Sequence, residues 1–102
     1  MATRKLKPIE ERDPQAAATL KAFDALTEKE RIIDHCAVHD FSEAMQTKMD
    51  KSRAKGRSGW HDPYQCTISS LAKLLREHMD KGDYVDVGNF AMMLWHRTGK
   101  VK

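Results

Sequence analysis

Apolar positions crowd into residues 83–97, DYVDVGNFAMMLWHR, more densely than anywhere else in the chain. At about 100° per residue, Val85, Val87, Phe90, Ala91, Met92, Met93, Leu94 and Trp95 cover most of a helix circumference. Asp86, Asn89, His96 and Arg97 remain as a narrow polar stripe, with Met93 among them. A helix apolar nearly all round belongs at the centre of a domain, so this one is expected to be the most buried element. Gly88 is costly in a helix interior, by about 1 kcal/mol against Ala, which predicts a neighbour packed close to its backbone. In the segment before it, Ile68, Leu71, Leu74, Leu75, His78 and Met79 share one side of a helix. Thr67 or Ser69 caps that helix and Gly82 ends it. So short a connection predicts an antiparallel helical hairpin over about 68–97.

Upstream, Asp13-Pro14 is a cap followed by proline at the first helical position. The helix it opens has Ala17, Leu20, Phe23 and Leu26 facing inward. Thr27-Glu28-Lys29-Glu30 has the form of a capping box, which starts a new helix. Ile32, Ile33, Cys36 and Ala37 keep helical spacing, and Phe41, Ala44, Met45, Lys48 and Met49 continue with one apolar side. His39-Asp40 lies between the two sets, with Asp40 or Ser42 placed to recap, and two helices are favoured over one. Gly56, Gly59 and Pro63 break the pattern, leaving Trp60 on a loop with its ring expected in the core. No alternating strand pattern, repeat or low-complexity tract occurs. The expected class is all-α, a single helical domain over 14–102 behind a flexible N-terminal arm over 1–13.

Composition narrows the function classes. A chain of 102 residues supports one modest core. It holds no apolar run long enough to span a bilayer and no hydrophobic signal region. Cys36 and Cys66 lack metal-type spacing, which sets a reduced, cytoplasmic protein as the default. A formal charge of +3 allows a phosphate-bearing ligand but falls short of an argument for nucleic acid.

Three pieces together resemble a known family: FSEAMQTKMDKSRAKGRSGW, LAKLLREHMDK and DYVDVGNFAMM. They are similar to the short phage-encoded members of the MazG-like, all-α nucleoside triphosphate pyrophosphatases, which include dATP/dGTP pyrophosphohydrolases. The resemblance covers about Phe41 to Met93 and is most specific in the last piece. It implies a cytoplasmic protein of a host cell, commonly a homodimer, whose paired helices present Glu-x-x-Glu and Glu-x-x-Asp to Mg²⁺. Four carboxylates on facing helices make a hard oxygen cage for that ion. The second motif falls on Asp83 and Asp86. The first falls on His78 and Lys81, where this chain departs from the pattern. Sliding by one residue recruits Glu77 and Asp80 instead, but the helix wheel sets those opposite the apolar arc and His78 within it. The segment that usually separates the two motifs is also collapsed here. The resemblance therefore implies weakened or lost pyrophosphohydrolase chemistry.

Each candidate residue also has a plainer reading. Lys48, Lys51, Arg53, Lys55 and Arg57 form either a phosphate-contacting rim beside the Gly-Trp loop or a solvated basic face. Asp83 and Asp86 are metal ligands or a cap and a first-turn acid favoured by the helix dipole. His78 is a core histidine or a group acting with Asp86 across the hairpin. Trp60 and Asn89 complete the candidate set. His35 and His39 share a helical face but lack further ligands at zinc spacing. Two functions follow: a protein that handles a (d)NTP with Mg²⁺, or a non-catalytic helical protein that binds a host protein.

Overall fold

The computed structural model describes residues 14–99, and the arm expected over 1–13 lies outside them. The chain is all-helical over these residues, with no strand. Three helices follow in order: α1 (Pro14–Ala54), α2 (Ile68–Lys81) and α3 (Tyr84–Arg97).

Neither break expected in the first half occurs, and α1 runs unbroken from Pro14 to Ala54. No glycine or proline interrupts it between those ends. The polar side chains that suggested helix starts turn back onto α1 itself. Glu28 accepts from Arg31 one turn on, Ser42 Oγ donates to the His39 carbonyl at 2.9 Å, and His39 Nε2 lies 3.1 Å from Glu43. Such local bonds serve a helix interior as well as a cap.

The chain divides into two compact units at Val38/His39. In the first, Leu20, Phe23, Leu26, Ile32, Ile33 and Val38 are all exposed, including the three expected inward. Ala17 alone of that expected set is partly covered.

The second unit holds the hairpin. Thr67 caps α2, its Oγ1 accepting from Ser70 N–H at 3.0 Å. At the other end Gly82 takes a left-handed φ of 73°, its N–H donating to the Met79 carbonyl and that of Asp83 to the His78 carbonyl. This closure turns the chain straight into α3, and α2 and α3 pack closely. Leu71, Asn89 and Met93 are the buried residues of the two helices. Ile68 and Met79, expected inward, are 44% and 53% exposed. The buried arc of α2 centres on Leu71, Leu74 and His78, which leaves both at its margin.

Of the polar stripe of α3, Asp86, Asn89 and Arg97 face in and His96 is exposed. Asn89 and Met93 are the two buried residues of the helix, with Asp86, Phe90 and Arg97 beside them on the same face. Trp95, which the pattern placed within an all-round apolar surface, is 48% exposed, and Tyr84 in the first turn is 63% exposed. Gly88 has the close neighbour its cost implied, the ring of Phe41. The segment from Arg57 to Thr67 is an ordered loop. Asp62 Oδ1 accepts from Tyr64 N–H at 2.9 Å, and the Asp62 carbonyl accepts from the N–H groups of Gln65 and Cys66. Trp60 is half-buried in the wall of a cavity and does not enter the core.

Candidate functional site

Between the C-terminal turns of α1, the loop and the hairpin lies an open cavity of about 860 Å³. All five basic residues of the expected rim line it: Lys48, Lys51, Arg53, Lys55 and Arg57. Their placement has a local cause. Gly56, at φ 85°, ends α1 as Gly82 ends α2, with Arg57 N–H donating to the Ser52 carbonyl at 3.0 Å. The basic side chains thus fall in and just after the last turns of α1, where cations complement the helix dipole. The chain then doubles back so that Gly59, Trp60 and Gln65 wall the opposite side.

Asp86 is the sole carboxylate in the wall among the described residues. Its Oδ2 lies 3.1 Å from Lys48 Nζ and 3.7 Å from His78 Nε2. Arg53 is engaged by Asp50 at 2.8 Å, and this hydrogen bond, seconded by one from Gln46, holds the Asp50 carboxyl below its usual range. Lys51, Lys55 and Arg57 make no ion pair among the described residues. The cavity therefore presents a net positive surface at a partly enclosed site, which strengthens attraction for an anion.

Asn89 sits at the floor. Its Nδ2 donates to the Met45 carbonyl at 3.1 Å, which fixes the amide orientation because a carbonyl only accepts. Its Oδ1 is buried without a hydrogen-bond partner among the described residues. His78 is fixed in the same manner: its Nδ1 lies 2.8 Å from the Leu74 carbonyl and must carry the proton. The ring of Phe90 packs against it at 5.0 Å between centroids.

Glu77 and Asp80 are exposed and stand outside the cavity wall, Glu77 lying 4.0 Å from Lys73. The four-carboxylate set implied by the resemblance is therefore not brought together. What converges instead is His78, Asp83 and Asp86, with donor atoms within 4.8 Å of one another. An imidazole and a nearby ammonium suit Mg²⁺ poorly, since that ion takes oxygen ligands in near-ideal octahedral geometry.

Comparison with protein-family models, curated proteins and solved structures returns no match for the chain.

Arg97 is a residue that sequence reasoning left without a role. Its Nη1 donates to the carbonyls of Trp60 at 2.6 Å and Cys66 at 2.8 Å, tying both ends of the loop to α3. The signal for it was indirect. A loop with Pro63 and a tight Asx turn leaves carbonyls that need donors, and Arg97 is a long donor on the inward face of α3.

Proposed function

We propose that this chain binds a phosphate-bearing small molecule of the nucleoside triphosphate class in the basic cavity, without an intact Mg²⁺ cage for hydrolysing it. The observation that carries the reading is the charge of the wall: five basic side chains around one carboxylate that already has a cationic partner. A guanidinium or ammonium supplies charge-assisted donors to phosphate oxygens, and Trp60 offers an aromatic surface beside them. The size suits such a ligand, since small-molecule sites run to roughly 300–1,000 Å³. The sequence resemblance of about Phe41 to Met93 to MazG-like pyrophosphatases favours a nucleotide over other anions and a phage or prophage setting.

Calorimetric titration with dATP, dGTP, dCTP and TTP, and with the nucleosides alone, tests this. The expected result is binding by triphosphates and not by nucleosides, weakened by salt and by the triple change Lys51→Glu, Lys55→Glu, Arg57→Glu. A pyrophosphate-release assay with Mg²⁺ is expected to be negative. Equal binding of nucleosides, or indifference to the triple change, overturns the reading.

A second reading, a non-catalytic protein that docks on a host protein, draws on residues 14–38 by themselves. Six large apolar side chains are exposed there on one helical segment, more than a solvated helix needs. Retention of a defined partner by a chain with Phe23→Glu would count against it.

A further inference from the structure

His78, Asp83 and Asp86 meet because of how the hairpin closes. The left-handed turn at Gly82 lets Asp83 N–H donate to the His78 carbonyl at 3.0 Å, which folds position 83 back over the last turn of α2. Asp83 occupies the N-cap position of α3, yet its side chain makes no capping hydrogen bond. Its carboxylate is instead within 4.8 Å of both His78 and Asp86. Asp86 follows three residues later, on the same side of the first turn of α3.

The imidazole is prepared for ligation. The Nδ1 proton is committed to the Leu74 carbonyl, so in the neutral ring the lone pair is on Nε2, the atom that faces Asp86 Oδ2 at 3.7 Å. A hydrogen bond from the far ring nitrogen to a backbone carbonyl is a usual support of a metal-bound histidine. Ligand atoms on a tetrahedral zinc stand roughly 3.3 Å apart, from metal–ligand distances of about 2.0–2.1 Å. Closing the His78–Asp86 gap of 3.7 Å to that spacing needs a few tenths of an ångström, and the exposed Asp83, within 4.8 Å of both, closes by up to about 1.5 Å. One imidazole and two carboxylates favour late first-row divalent ions over Mg²⁺.

We propose that His78, Asp83 and Asp86 form a site for a divalent transition-metal ion of the Zn²⁺ or Co²⁺ class. The site does not rest on the nucleotide reading. Lys48 competes with the ion: its ammonium, on a half-exposed side chain 3.1 Å from Asp86 Oδ2, swings out when the metal enters. His78 and Asp86 both line the cavity, so the remaining coordination positions open towards it.

The test uses the full chain with metal ions alone. Co²⁺ is expected to bind one per chain with the visible absorption of a low-coordinate site. Zn²⁺ in equal amount should displace it, and Mg²⁺ in large excess should not. His78→Gln and the exposed-site change Asp83→Asn should each weaken Zn²⁺ binding by at least about tenfold, the lower end of what loss of even an outer-shell partner costs. Lys48→Met should strengthen it. The double change His35→Ala, His39→Ala removes the other paired imidazoles and should leave binding intact. Thermal melts of each variant establish that it is folded. Binding that survives Asp83→Asn and His78→Gln but is lost with His35→Ala, His39→Ala overturns the proposal, as do displacement by Mg²⁺ and failure to bind Co²⁺.

Discussion

The ring of Phe41 occupies the space that any side chain at position 88 would need. A β-carbon built on Gly88 would lie 2.5 Å from Phe41 Cε2 and 2.8 Å from Cζ. Replacing glycine by alanine favours a helix by about 1 kcal/mol, but overpacking typically costs about 1–3 kcal/mol. Gly88→Ala is therefore expected to lower stability by about 1 kcal/mol in denaturant unfolding. In a Phe41→Ala background the same change should become neutral or stabilising. Additive effects in that double-mutant cycle would show that the two positions are not in contact.

Arg97 predicts a different kind of loss. Hydrogen bonds to charged groups contribute about 1.5–3 kcal/mol, and this side chain makes two to backbone carbonyls. Arg97→Met is expected to destabilise the second unit by about 2–3 kcal/mol. Amide exchange should rise first at Gln65 and Cys66, whose N–H groups depend on the Asp62 turn. Uniform acceleration across α2 and α3, with no excess in the loop, would contradict the brace.

Asp50 and Arg53 give a prediction in pH. The carboxyl of Asp50 is held below its usual range first by its hydrogen bond to Arg53 and then by that from Gln46. A carboxyl with a depressed folded pKa adds stability above its unfolded pKa and loses it as pH falls through the folded one. Arg53→Gln should raise the Asp50 titration midpoint towards the ordinary carboxylate value, followed by NMR of its side-chain carbon. An unmoved midpoint would show that the pair does not persist in water.

Residues 14–38 predict association. Most helical stability in proteins comes from packing an apolar face, and the apolar side chains these residues carry are exposed. Self-association at micromolar concentration is the expected outcome, with mass and helicity falling together on dilution and Phe23→Glu weakening both. Sedimentation of a fully helical monomer would overturn this.

The hairpin was legible because its signals are local and mutually consistent. Thr67 precedes the periodic run, Gly82 ends it, and too few residues follow for any other connection. The continuity of α1 was hidden for the same reason that made the capping box visible. Thr27 and Glu30 carry a start signal that is silent once the helix is already formed, and Glu28 bonds Arg31 instead. The basic rim could be read as a run of charge, but not that five side chains would surround one cavity. That arrangement depends on Gly56 and on the loop returning past Trp60. The polar stripe of α3 could be read along the helix, but not which of its members would be buried. Asn89 reaches the Met45 carbonyl across 44 positions of sequence, and no local pattern carries that information.

The left-handed residue at Gly82 also governs which changes of length this chain can accept. Only Gly82 and Asp83 separate the end of α2 from the start of α3. One residue gained or lost there would turn α3 about its axis by about 100°. Asn89 and Met93 would leave the interior, and Asp86 would leave His78. Homologous chains could vary in residue type along the outer face of α3, at Tyr84 or Ala91, while an insertion at this one junction would be purged. The cluster of donors, the floor of the cavity and the packing of the hairpin are inherited together, as a single phase angle.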